Sequence, residues 1–304
     1  MANFVLDESR SEESTKGHLT KILVIWAITS VIGMALVWFV LGPHLPPGTM
    51  TDQAQGAQFD IRLVSTLVVP VLFFVWLFFG YSIMKWRVRP GEDPLAPGAN
   101  ISGNSKAQGA WYIITTTLVL GLAAFGTYFL VVPAGAGGAE GSSPIWRPAT
   151  KNILQVQVIA QQWRFTYRWP QFGGMETTSL ELPNNTEIQF NVTSLDVIHD
   201  FWAYGLGVKA DANPDYNNIA YAKTQQTGKF VVRCDELCGI WHGAMYNYGH
   251  VVSQAQFQTW ASNMETQNAA LTKLLPKYSL TYTPSYSGAG GGYYNTATDP
   301  NANL

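Results

Sequence analysis

Cys234-Asp-Glu-Leu-Cys-Gly-Ile-Trp-His-Gly-Ala-Met245 gathers two thiols, an imidazole and a thioether into twelve residues, and the chain has no other cysteine. Structural zinc sites use cysteine and histidine and leave methionine idle, whereas thiolate and thioether sulfur mixed with imidazole suits copper. Cys234 and Cys238 are four apart, His242 follows four later and Met245 three after that. One short loop can therefore wrap four side chains around a small volume, with Gly239 giving it room to turn. A further strong donor has to come from elsewhere, and of the five histidines (His18, His44, His199, His242 and His250) His199 is the best candidate. It ends Thr193-Ser-Leu-Asp-Val-Ile-His199, just beyond an alternating run, Glu187 to Val192, that reads as a strand entering a loop.

Two other readings compete with this one. Two lone cysteines in an exported domain commonly form a disulfide, and Met245 by itself would be core filler. A single blue copper uses one cysteine, two histidines and a weak methionine, so it leaves one thiolate over. The order His, Cys, Cys, His, Met favours a metal site over a bridge, while His250 stands in no such pattern.

The pattern C-x-E-x-C-G-x2-H-x2-M, preceded by Asp196-Val-Ile-His199, resembles the binuclear CuA site of subunit II of haem-copper cytochrome c oxidases. The similarity runs from Asn152 to Met264, including Leu206-Gly-Val-Lys-Ala-Asp211 and Phe257-Gln-Thr-Trp260. The resemblance implies a pair of coppers bridged by Cys234 and Cys238, capped by His199 and His242, with Met245 a weak ligand to one and the backbone carbonyl of Glu236 to the other. It implies further that the Glu236 side chain holds Mg2+ at the boundary with subunit I, where the haems reside. Subunit I is then an obligatory partner, subunit III another, and cytochrome c or a similar extracytoplasmic protein the electron donor.

Composition supports a membrane anchor. Of the 304 residues 47% are hydrophobic and 12% charged, about half the charged share of an ordinary soluble domain. Uncharged stretches at Ile22–Leu41, at Leu63–Met84 and around Tyr112–Val132 are each long enough to cross a hydrocarbon core of about 30 Å. Pro70 falls inside the second and predicts a kink there. Lys85, Arg87, Arg89 and Lys106 flank the connection between the second and third stretches, and Arg10, Lys16 and Lys21 precede the first. By the positive-inside rule both sets are cytoplasmic and the C-terminal domain lies outside a bacterial-type plasma membrane. The apolar core of the first stretch is too long for a signal peptide, so it reads as a retained extra helix before the family's two-helix hairpin.

The expected organisation is a membrane-anchored α+β chain: a cytoplasmic segment at 1–21, an extra transmembrane helix at 22–42, hairpin helices at 62–86 and 109–133, and a Gly/Ala-rich linker at 134–150. Residues 151–270 follow as the copper domain, and 276–304, rich in Gly, Ser, Tyr and Asn, as a disordered tail. Gln155–Ala160, Glu187–Val192 and Lys229–Arg233 read as short strands separated by turn residues and predict a Greek-key β-sandwich. The family's cupredoxin barrel agrees with it.

Trp163, Phe165, Tyr167 and Trp169 alternate and predict one face of an extended strand, by default a core face. The resemblance singles out Trp163, in Gln162-Trp163, as the surface residue that receives electrons. Two departures from the family matter. Arg164 and Arg168 stand where mitochondrial members carry acids, and residues 151–264 hold seven Lys/Arg against nine Asp/Glu, so no strong field steers a basic donor. Gln108 occupies the place, three before Trp111, where many members have a proton-path glutamate, and an amide cannot titrate. Alternative roles are the electron-entry subunit of a CuA-type nitric oxide reductase, or a membrane-bound copper carrier. No phosphate loop, nucleophile triad or basic stripe points to a nucleotide enzyme, a hydrolase or a nucleic-acid binder.

Overall fold

A computed structural model of the chain describes residues 8–87, 91, 103–131, 140–141, 144–145, 147–150 and 152–274. The tail expected at 276–304, Arg89 and most of the 134–150 linker lie outside the described residues. The chain divides into two compact units, one of Met1–Leu45 with Asp60–Leu118 and one of Pro46–Phe59 with Val119–Leu304.

Three helices, α1 (Glu8–Leu36), α2 (Asp52–Trp86) and α3 (Ser105–Val131), carry the apolar stretches, and each is long and apolar enough to cross a membrane. Their starts differ from the sequence expectation. α1 begins at Glu8 rather than 22, and α2 at Asp52 rather than 62, because both extend through polar turns that hydropathy does not register. α3 begins at Ser105 rather than 109, where the Asn104 side chain accepts from the backbone N–H groups of Lys106 and Ala107 and caps the helix. α1 ends in a single π-helical turn, Val37–Leu41. In the first unit, the Trp26 indole donates to the Pro70 carbonyl at 2.7 Å, and Gly33 lies so close to Phe73 and Val69 that any side chain there would collide with them. The close approach at a small residue is the usual means of packing apolar helices.

The second unit is a two-sheet β-sandwich of cupredoxin type. One sheet has the order β1 (Glu140–Gly141), β9 (Asn218–Lys223), β6 (Glu187–Ser194), β2 (Leu154–Gln161), β3 (Arg164–Trp169), β4 (Met175–Thr177). The other has the order β5 (Leu180–Pro183), β11 (Tyr246–Val252), β10 (Gly228–Cys234), β7 (His199–Ala203), β8 (Val208–Ala212). β2 with β6 and β5 with β11 are parallel pairs; the other pairs are antiparallel. β1 falls inside the stretch expected to be linker, with Glu140 opposite Ala220.

The three strands read from alternation are β2, β6 and β10, each within a residue or two of its expected ends. Inward-facing Val156, Val158, Ile188, Phe190, Val192, Phe201 and Val232 from the two sheets meet in a continuous core. Phe165, Tyr167 and Trp169 join it, so the β3 stripe is a core face. The helix α4 (Gln254–Thr272) closes the sandwich. Ser253 and Gln256 form a reciprocal capping box at its start, and Phe257 and Trp260 pack against Trp169 with ring centroids 5.9 and 5.1 Å apart. Arg168 is buried with Glu176 at 3.8 Å, so it does not take the place of a surface acid as the sequence suggested.

Candidate metal centre

β7 and β10 are hydrogen-bonded neighbours, with Cys234 opposite Phe201. Pairing therefore carries the end of β10 to the start of β7 and brings Cys234 beside His199, thirty-five residues earlier. The chain between β10 and β11 makes the remaining turn. Gly239 takes φ +118°, a conformation an L side chain rarely adopts, and a short 3-10 turn at His242–Ala244 leads to Met245. The Cys234 N–H donates to the Met245 carbonyl at 3.0 Å and closes the loop at its base.

The donor atoms form a row. His199 Nδ1 is 3.7 Å from Cys234 Sγ, Cys234 Sγ is 3.6 Å from Cys238 Sγ, and Cys238 Sγ is 3.7 Å from His242 Nδ1. Met245 Sδ lies 3.9 Å from Cys238 Sγ on one side, and the Glu236 carbonyl 3.2 Å from Cys234 Sγ on the other. Both cysteines are free, and their separation far exceeds the 2.05 Å of a disulfide. His199, Cys234 and Cys238 form the one group of metal-ligating His, Cys, Asp or Glu side chains among the described residues, with donor atoms within 4.8 Å of one another. His199, Cys234, Cys238 and Met245 are buried, whereas the Glu236 side chain is exposed. Two thiolates between two imidazoles, flanked by a thioether and a carbonyl, form a donor set that fits a soft metal such as copper.

The surroundings tune this row. Asp196 Oδ1 lies 2.8 Å from His199 Nε2, and with a proton on Nε2 the Nδ1 lone pair faces Cys234. Asp196 is itself held by the backbone N–H groups of Gln162 and Val197, both at 2.7 Å. Burial works against its charge, but these bonds and His199 outweigh burial and lower its pKa. Burial likewise pushes both thiols up; contacts with His199 and with the backbone of Asp200 and Glu236 reverse this at Cys234 and bring it to about 6. At Cys238, burial and the neighbouring Cys234 leave the thiol at about 12. The pair accepts one negative charge readily and resists the second until a cation supplies the attraction.

Trp163 is half-buried in the turn just before β3, and its indole N–H donates to the Cys238 carbonyl at 3.2 Å. The Gln162 amide donates to the same oxygen at 2.9 Å. Asp196 and Gln162 received no role from the sequence reading. The Asp three residues before His199 was the signal available for the first, and nothing local marks the second. His250, set aside in the sequence, pairs with Glu181 at 2.8 Å, away from the row. Around the loop Leu237 is 79% and Ile240 84% exposed, beside the exposed Trp241.

Residues 176–252, which span the whole loop, match the family model described as cytochrome C oxidase subunit II, periplasmic domain. These residues carry the domain of the cytochrome c oxidase subunit II family, and the chain is similar to subunit II over a longer stretch. Subunit 2 of Bacillus subtilis is 28% identical over 244 residues, covering 76% of this chain and 65% of the relative's length. The Thermostichus vulcanus subunit is 26% identical and covers 83% of this chain and 88% of its own. The solved periplasmic domain of subunit II of cytochrome oxidase (CoxB) of Bradyrhizobium japonicum is 29% identical, with 40% of this chain and 97% of that one covered and a TM-score of 0.37. The similarity accords with a chain that carries three apolar helices and a periplasmic-type β-domain.

Proposed function

We propose that this chain is the electron-entry subunit of a haem-copper cytochrome c oxidase, holding a binuclear copper centre at the start of β7, the end of β10 and the loop between β10 and β11. The observation that carries the reading is the His199, Cys234, Cys238, His242 row, with successive donors 3.6 to 3.7 Å apart. Cys234, Cys238, His199 and His242 would hold the metals, with Met245 and the Glu236 carbonyl completing the set. When bound, such a centre supplies a one-electron carrier whose charge change is spread over two nuclei and two sulfurs.

The protein's part is to keep the donors still and dry. Burial of His199, Cys234, Cys238 and Met245 excludes water, which limits reorganisation around a changing charge. Asp196 fixes the ring of His199, and Trp163 and Gln162 together hold the Cys238 peptide. Trp163 is the proposed entry point: its ring is half-exposed on one side and bonded to the ligand loop on the other. The exposed Glu236 carboxylate would share Mg2+ with subunit I. Onward transfer to haem in subunit I, oxygen reduction with proton pumping, association with subunit III and a place in a bacterial-type plasma membrane complete the proposal.

The test is electron paramagnetic resonance and visible spectroscopy of the copper-loaded full chain in detergent. A purple centre with two coppers and one electron delocalised over both nuclei is expected. A single-copper signal, or a silent cuprous site that releases its metal to chelators, would make the chain a blue-copper or carrier protein. Co-purification with an oxygen-reducing subunit separates the oxidase from a nitric oxide reductase.

A further inference from the structure

The β-sandwich recruits a segment that precedes it by a hundred residues. Thr49–Ala54 runs into the first turn of α2 and lies in the same compact unit as the sandwich. Thr51 and Ala54 are fully buried and Gln53 nearly so, although Asp52–Phe59 opens an otherwise membrane-type helix.

Several polar groups of the segment meet a sandwich backbone group or a matched side chain. The Thr51 hydroxyl donates to the Leu206 carbonyl and accepts from the Ala54 N–H at 2.9 Å, so one atom caps α2 and bonds the turn before β8. The Lys223 N–H donates to Gln53 Oε1 at 3.0 Å, and the Gln225 N–H to the Met50 carbonyl at 2.8 Å. The Gln225 side chain donates to Asp52 Oδ1 at 2.8 Å, and Thr51 bridges Thr224 as a single antiparallel β-pair. Apolar contact accompanies these bonds: Met50 packs on the core beside Gly205 and Gly228. Gly207, at φ +65°, lets the turn approach until a Cβ there would stand 2.7 Å from Ala54 Cα and N.

We propose that Thr49–Ala54 is a clasp that anchors the β-sandwich to α2 by cooperative docking, with Thr51 and Gln53 as its positioning residues. The bonds grip two turns at once, the one between β7 and β8 and the one between β9 and β10. α2 continues without a break to Trp86, so the first turns of a membrane-type helix are built into the domain. The extra helix α1 makes the clasp part of a closed loop instead of a free end, which lowers the entropy lost on docking.

The test uses the full chain in lipid nanodiscs and amide hydrogen exchange read at single residues. Gln53→Ala removes the acceptor of the Lys223 amide, and Thr51→Val removes a bond that involves neither the Lys223 nor the Gln225 amide. In a cooperative clasp each substitution speeds exchange at both Lys223 and Gln225 by about ten-fold or more, while β2–β6 amides keep their protection. Thr51→Ser, which keeps the hydroxyl, restores slow exchange. Acceleration confined to the Lys223 amide in Gln53→Ala, or unchanged exchange at Lys223 and Gln225 in Thr51→Val, overturns the proposal.

Discussion

The two ends of β10 are held by opposite kinds of chemistry. At its C-terminal end Cys234 stands in a row of sulfur and imidazole donors 3.6 to 3.9 Å apart, separations that leave space for cations between them. At its N-terminal end Gly228 abuts Met50, and the clasp makes ordinary hydrogen bonds of 2.8 to 3.0 Å. The clasp is satisfied by protein alone. The donor row becomes a strong interaction only when something bridges it. One strand thus connects a self-sufficient anchor to a site whose geometry is fixed by its neighbours, chiefly Asp196, Gln162 and Trp163.

Four substitutions sharpen this contrast. Cys238→Ser should have the largest effect, complete loss of the two-copper spectrum with the sandwich still folded, because a hydroxyl is a poor bridge between soft metals. Retention of two coppers and their mixed-valence signal would remove Cys238 from the ligand set. Gly207→Ala attacks the other end and should lower stability by about 3 kcal/mol, through left-handed backbone strain and collision with Ala54. Denaturant melts of the copper-loaded variant would show its spectrum unchanged until unfolding.

Trp163→Ala should slow reduction by the donor about ten-fold and leave the metal in place. Stopped-flow rates equal to those of the unaltered protein would reduce Trp163 to a packing residue. The smallest effect belongs to Tyr167, whose buried phenol donates to Asn247 Oδ1 at 3.0 Å. Burial raises its pKa above the ordinary value, and the bond to Asn247 offsets this only in part. The folded state therefore keeps the proton after the unfolded chain has lost it, so stability is level below about pH 10 and falls as pH rises further. Tyr167→Phe should cost about 1 kcal/mol at neutral pH and abolish the alkaline decline. An alkaline melting curve of undiminished slope would assign the decline to other groups.

Legibility followed the range of the interactions. The donor row was readable because four of its five side chains are local, and its fifth, His199, lies just beyond β6, the strand that alternation announces. β2, β6 and β10 were readable from β-branched and aromatic periodicity, and the apolar bodies of α1, α2 and α3 from hydropathy. The early turns of α2 were not. Asp52, Gln53 and Gln55 look like loop residues, and what makes them helical is a cap by Thr51 and partners 155 to 170 residues away. Arg168 misled for the same reason: its buried place beside Glu176 follows from β3–β4 pairing and not from its neighbours in the chain.

The clasp also has a timetable. Thr51 and Gln53 are separated from their partners by 155 and 170 residues, and at a synthesis rate of about 5–20 residues per second that distance is roughly 8 to 35 s of translation. During that interval the partners of Thr51 and Gln53 have yet to be made. Closure of the clasp is then a late event in biogenesis, after β9 and the turn to β10 have been exported, and it marks the moment when the nascent domain stops being a trailing chain and becomes attached to its anchor.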